Sequence, residues 1–231
     1  MMALIDDQTD VDTKTIEWMH PMMFGAKANS EDNPNWAQAM NGPDQAGYWD
    51  ACELEIATLT TSKDAWDVVD KEPWMNVLPS TWAFKCKRYP DGLVRKLKAR
   101  FCCRGDRQIE GVDFFDTYAP VVNWQTVRLM MILSVILGLA TKQVDYTCAF
   151  LHAPIDRDPD WDKLTPAEQE KRGVFVDMPR GFSEPGKVLR LNKSLYGLKQ
   201  SPRNFFQHLK SNLELAGFES TEINPCLFVS D

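Results

Sequence analysis

The pattern that most constrains the fold lies between residues 81 and 103. Trp82, Phe84 and Cys86 alternate with Thr81, Ala83, Lys85 and Lys87, a period of two that puts apolar and polar side chains on opposite faces of a strand. Pro90-Asp91-Gly92 follows as a turn signal, and residues 93–103 read as a returning strand. A β-hairpin with one apolar and one basic face is expected. Its basic face is dense: residues 85–107 hold nine bases, opposed only by Asp91 and Asp106.

That local field matters because the whole chain is acidic, with a formal net charge of -7 over 231 residues. Residues 1–62 carry eleven acids and two bases, while the remainder carries 22 acids and 24 bases. Binding of phosphate responds to the local field more than to the total. A charge cluster alone is more often the mark of a solvated hairpin face than of a binding surface.

Residues 1–43 are polar and punctuated by Asn33-Pro34 and Gly42-Pro43, and are expected to form a flexible acidic arm. Helical spacing of Trp49, Cys52, Ile56 and Leu59 predicts a helix over 48–59, and 66–69 is a short strand. Residues 126–139 are strongly apolar and predict a helix buried on most sides. Residues 142–145 read as a short strand, 156–173 as a charged surface insertion, and 174–178 and 187–191 as strands. Phe206, Leu209, Leu213 and Ala216 share a stripe over 203–216, with Gly217 as C-cap. The order implies an α+β fold. The division expected is an arm at 1–43, a hairpin-bearing region at 44–122 and a third region at 123–231.

The longest apolar run, 129–140, is too short for a bilayer, which takes about 20 residues. The N-terminus has no basic n-region, so no signal peptide is expected. The six cysteines form no C-x-x-C pair and the three histidines lie far apart, so reduced thiols in an intracellular compartment, cytoplasmic or nuclear, are the expectation rather than a zinc site.

Four segments in order resemble the reverse transcriptase (RNA-directed DNA polymerase) domain of copia-type LTR retrotransposons. They are Ser80-Thr81-Trp82-Ala83-Phe84-Lys85 with Lys98-Ala99-Arg100; Gly111-Val112-Asp113-Phe114-Phe115-Asp116-Thr117-Tyr118-Ala119-Pro120-Val121; Gln143-Val144-Asp145-Tyr146-Thr147-Cys148-Ala149-Phe150-Leu151; and Leu191-Asn192-Lys193-Ser194-Leu195-Tyr196-Gly197-Leu198-Lys199-Gln200-Ser201-Pro202-Arg203. The resemblance runs from about Trp49 onward. It implies the fingers and partial palm of a right-hand polymerase, with an incomplete palm sheet. Such enzymes bind a template-primer of RNA or DNA and deoxynucleoside triphosphates, and transfer a nucleotidyl group between two magnesium ions.

By the same resemblance, Asp145 is the first metal-binding and catalytic aspartate, held at a strand end. Lys85 and Arg100 would pair with the triphosphate. Phe150 would lie beneath the incoming sugar and exclude a 2′-hydroxyl. Tyr196 and Gly197 would form the turn that meets nucleotide and template, followed by a helix capped by Ser201. Lys87, Arg95, Lys96, Lys98 and Arg104 would follow the template backbone. The family's second metal motif, Tyr-x-Asp-Asp, does not occur in the 231 residues. The expectation is therefore a fragment without turnover; a non-catalytic nucleic-acid-binding fragment or an inert retroelement relic are the alternatives.

Overall fold

The computed structural model describes residues 32–230. Two helices come first: α1 (Trp36–Asn41) and α2 (Gln45–Ala57), the latter continuing into a π-helical turn, Thr58–Ser62. Asn35 and Gln38 cap α1 reciprocally, the Asn35 oxygen accepting from the Gln38 amide at 3.0 Å and the Gln38 oxygen from the Asn35 amide at 2.9 Å. Of the arm expected over 1–43, residues 1–31 lie outside the described residues. Residues 36–41 are helical, with Ala39 buried.

The strands are β1 (Trp66–Asp70), β2 (Val77–Leu78), β3 (Ser80–Arg88), β4 (Val94–Cys103), β5 (Phe175–Asp177), β6 (Lys187–Leu191), β7 (Glu219–Ser220) and β8 (Phe228–Val229). Helices α3 (Trp124–Ile136), α4 (Pro166–Glu170) and α5 (Ser201–Leu215) complete the order. One sheet runs β1-β6-β5-β2, antiparallel except for the parallel β2/β5 contact; β3 and β4 form a second sheet, β7 and β8 a third. The fold is thus mixed α and β.

The hairpin forms where the alternation places it. Trp82, Phe84 and Cys86 pair across β4 with Phe101, Ala99 and Leu97. At the turn, the Asp91 carboxylate accepts from the Leu93 amide at 2.9 Å, and Gly92 adopts φ 88°. A register shift between Lys87 and Arg88 leaves Arg95 as the extra residue of a bulge. The apolar face enters a single core with Tyr48, Cys52 and Leu59 of the first helices and Val176, Leu189, Leu191, Leu195 and Leu198 of the later chain. Tyr48 meets Phe84 edge-on at 5.2 Å between ring centres. Burying each of the large side chains Phe84 and Phe101 contributes about 2–3 kcal/mol. The Trp82 indole also donates to the Arg180 carbonyl at 3.0 Å, tying β3 to the loop before β6.

Two expectations are overturned here. Residues 142–145 form no strand, and Asp145 lies in an irregular, exposed stretch. A strand needs a neighbour to receive its amides and carbonyls, and among the described residues no strand lies beside 142–145. Helix α3 does form, with the Asn123 side chain accepting from the Thr126 amide at 2.7 Å. It buries none of its residues, however: Val135 is 82% and Ile136 72% exposed. Its tie to the later chain runs through Thr126, whose hydroxyl accepts from the Asn224 side chain at 3.1 Å.

Helix α5 ends as expected. Gly217 at φ 88° lets its amide reach the Glu214 carbonyl at 3.0 Å and the Phe218 amide reach Leu213 at 2.9 Å, a Schellman closure. Its start differs from expectation: Gln200 occupies the cap position, and the Ser201 hydroxyl instead donates to the Leu195 carbonyl at 2.6 Å. Among the described residues no helix is long and apolar enough to cross a membrane.

Candidate functional site

The outer edge of β4, α2, residues 145–148 and Tyr196 enclose a cleft of about 790 Å³. Alternation along β4 sends Lys96, Lys98 and Arg100 to the face opposite the core. Cross-strand pairing then sets Lys85 directly opposite Lys98, and Lys87 opposite Lys96. Like charges in such positions destabilise a hairpin unless something screens them. The cost is visible at Lys98, whose pKa is pushed down by partial burial and then by Lys87, Lys96 and Arg100.

Arg100 stands with its guanidinium carbon 5.2 Å from the centre of the Tyr196 ring. Phe150 packs edge-on against the same ring at 5.3 Å and against Phe205 of α5 at 6.3 Å. Three residues singled out from the sequence, Arg100, Phe150 and Tyr196, are therefore one contiguous group. Phe150 lies in a 3-10 turn, Ala149–His152, that begins after Cys148 in the left-handed region at φ 55°. Arg95, Lys96, Lys98 and Asp145 line the same cleft. Lys85 and Lys87 belong to the adjoining strand and do not line it. Arg104 is turned to its own loop, where it grips Asp106 with two bonds of 2.8 and 2.7 Å and holds that carboxyl down to about 2.

The Tyr196-Gly197 turn is set against the end of β4. The Cys103 amide donates to the Tyr196 carbonyl at 2.8 Å. Gly197 has φ 89°, and a β-carbon there would stand 2.1 Å from the Cys103 carbonyl oxygen. Gly105 is under the same constraint from the other side, since a β-carbon on it would come within 2.0 Å of the Gly197 carbonyl oxygen. Close approach of two backbones requires glycine at both places.

Sequence reading missed the side chains that lock this joint. The Gln108 amide oxygen accepts from the Lys199 amide at 2.8 Å, and its nitrogen donates to the Gln200 side chain at 2.9 Å. Gln200 donates in turn to the Asp113 carbonyl at 2.8 Å. The Asp113 carboxylate accepts from Asn76 at 2.7 Å and from the Ile109 amide at 2.8 Å. Gln108, Asp113 and Gln200 are all buried. The presence of Asp113 and Gln200 in the quoted motifs was the available signal; Gln108 had none. Glu55 of α2, another cleft residue, was missed as well. Its Oε1 accepts from the Phe101 amide at 3.4 Å.

The carboxylates present do not make the magnesium site the resemblance implies. Asp145 shares the cleft with Asp50 and Glu55. Yet among the described residues no three His, Cys, Asp or Glu side chains are placed to hold one ion. A two-ion site needs several rigidly aimed oxygens, and Asp145 sits on irregular backbone. No step through a metal is derived for these residues.

The family model described as "Reverse transcriptase (RNA-dependent DNA polymerase)" matches residues 63–231. The retrovirus-related Pol polyprotein from transposon TNT 1-94 of Nicotiana tabacum is 28% identical over 194 residues, which is 83% of this chain and 13% of that protein. The Pol polyprotein from transposon RE1 of Arabidopsis thaliana is 30% identical over 168 residues, 71% of this chain and 10% of the relative. The Transposon Ty1-ER2 Gag-Pol polyprotein of Saccharomyces cerevisiae is 34% identical over 171 residues, covering 67% of this chain and 8% of the relative. The chain thus spans roughly a tenth of the length of these polyproteins. No solved structure matches it. With the family match extending over most of its length, the chain belongs to the reverse transcriptase family of retrotransposon Pol polyproteins.

Proposed function

We propose that this chain is a nucleotide- and nucleic-acid-contacting piece of a retrotransposon reverse transcriptase, and that these 231 residues alone do not catalyse polymerisation. Helix α2 and the β3/β4 hairpin correspond in this reading to the fingers. The β1-β6-β5-β2 sheet and α5 correspond to part of the palm. The observation that carries it is the hairpin's basic face, where Lys85/Lys98 and Lys87/Lys96 oppose one another beside Arg100. A polyanion relieves that repulsion, and phosphate is the polyanion the family's substrates supply.

Within the cleft, Arg100 and Lys98 bind phosphate, with Lys85 completing the field from β3. Tyr196 presents its ring beside Arg100, and Phe150, packed edge-on behind it and outside the cleft lining, fixes the ring's position. Asp145 would serve as a metal-binding aspartate only in a longer, assembled enzyme that supplied further carboxylates, where magnesium would contribute charge stabilisation at the phosphate. Arg95, Lys96 and Lys87 contact the template-primer backbone, and Arg104 does so only by releasing Asp106. Such substrates belong to the cytoplasm or nucleus.

Fluorescence anisotropy with a labelled single-stranded oligonucleotide tests the reading. Binding should be weak, sequence-tolerant and steeply salt-dependent. Reversing the charges of Lys96, Lys98 and Arg100 together should weaken it and reduce the slope of log affinity against log salt by about 2. Unchanged affinity in that triple variant would show that the hairpin is not the contact surface.

A further inference from the structure

We propose that Glu55 is the proton-linked counter-charge of the cleft: a polyanion bound beside Lys98 and Arg100 draws a proton onto its carboxylate, so Glu55 decides how occupancy depends on pH. The proposal rests on the reading that the cleft takes phosphates.

Glu55 lies on α2, half-buried, in the wall of the cleft. Its carboxylate accepts from the Phe101 amide on the outer edge of β4, at 3.4 Å. From β4 it faces Lys98 and Arg100, along with the Cys102 thiol, whose pKa Glu55 helps to raise. Asp50 and Cys52 stand on its own helix, Arg95 and Lys96 further along β4, and Asp145, Cys148 and Tyr196 on the opposite wall. Burial pushes the Glu55 carboxyl up, while the Phe101 amide, Arg100 and Lys98 pull it back. Lys98 and Arg100 therefore compensate Glu55 only while nothing else claims them.

A bound polyanion takes over those two cations and adds negative charge next to the carboxylate. The proton affinity of Glu55 is then higher in the occupied cleft than in the empty one. A proton moves from the buffer to Glu55 on binding and returns on release. The sign follows by linkage. Affinity is greatest below the pKa of the empty cleft and falls as pH rises through it, by at most about tenfold per pH unit. It becomes flat again above the pKa of the occupied cleft.

Isothermal titration calorimetry of the whole chain with trimetaphosphate tests this, since that anion is strongly acidic throughout and does not itself titrate. Measured at mildly acidic pH in two buffers of different ionisation heat, the parent should take up a fraction of a proton. Glu55→Gln, which keeps the acceptor for Phe101, should take up none and bind several-fold more tightly at neutral pH. Glu55→Asp should restore uptake. In the unsubstituted protein, the carbon-13 carboxyl signal of Glu55 should titrate at higher pH once the anion is added. Equal proton uptake by parent and Glu55→Gln, or a carboxyl signal that does not move, would overturn the role of Glu55 and leave phosphate binding standing. Absence of trimetaphosphate binding in both proteins would overturn the phosphate reading and this proposal with it.

Discussion

Gly197 illustrates how much of this fold rests on single backbone positions. Its φ of 89° and the 2.1 Å approach a β-carbon would make to Cys103 add two separate penalties. Gly92, at φ 88°, has nothing within 4 Å of the same construction, so only the conformational penalty applies there. Gly92→Ala should cost about 1 kcal/mol, whereas Gly197→Ala should cost at least about 3 kcal/mol because the Cys103 backbone must move. Urea midpoints of the two variants check the difference, and equal losses would refute the tight joint between the turn and β4. Thiol chemistry reports on neighbouring residues. Burial pushes Cys52 up to about 12 and Cys102 up to about 11. Alkylation near pH 8, where an ordinary thiol reacts, should leave both unlabelled until denaturant is added, as peptide mass spectrometry would show.

At the level of elements, the hairpin turns one face to the core and presents its cations on the other. Phe101 is fully buried between Trp66 and Trp82, with ring centres 5.6 and 5.7 Å away. Phe101→Ala should cost about 3–5 kcal/mol in chemical unfolding. Lys85→Glu acts on the other face and should separate stability from binding. An acid opposite Lys98 replaces a like-charge pair with an attractive one, adding up to about 1 kcal/mol of stability at low salt. The same change should weaken oligonucleotide binding. A variant that lost both stability and binding would mean that Lys85 is held by packing rather than by charge balance.

Across the whole molecule, the core built by α2, the hairpin and the β1-β6-β5-β2 sheet contrasts with α3, which stands apart from it. Val135, Ile136 and Leu137 are 82%, 72% and 63% exposed, an apolar surface that favours association. Ile136→Glu should slow aggregation, read by light scattering at several concentrations. It should leave the unfolding midpoint within about 0.5 kcal/mol of the parent. Activity is also a property of this scale. One aspartate on irregular backbone cannot clamp two ions about 4 Å apart, so the 231-residue chain should give no template-dependent primer extension with magnesium or manganese. Asp145→Asn should then equal its parent, and incorporation above a mock-purified control would sink the argument.

What the sequence determined by itself is what local chemistry specifies. Alternation from Trp82 to Cys86, the Asp91-Gly92 turn and the stripe ending at Gly217 dictate their elements through interactions within a few residues, and the hairpin, the 187–191 strand and α5 appear where those signals put them. The ordered motifs likewise carried the family and singled out Arg100, Phe150 and Tyr196, which the fold brings side by side. Tertiary structure alone decided the rest, because it depends on neighbours distant in the chain. The segment 142–145 reads as a strand in the chain but acquires no strand partner among the described residues. The α3 sequence suits burial, but none of its residues is buried among the described residues. Gln108 and Gln200 lie 92 positions apart and become one buried joint only when the turn closes on β4. Glu55 reads as one more acid in an acidic stretch until α2 packs along the hairpin and sets it among the cations of the cleft.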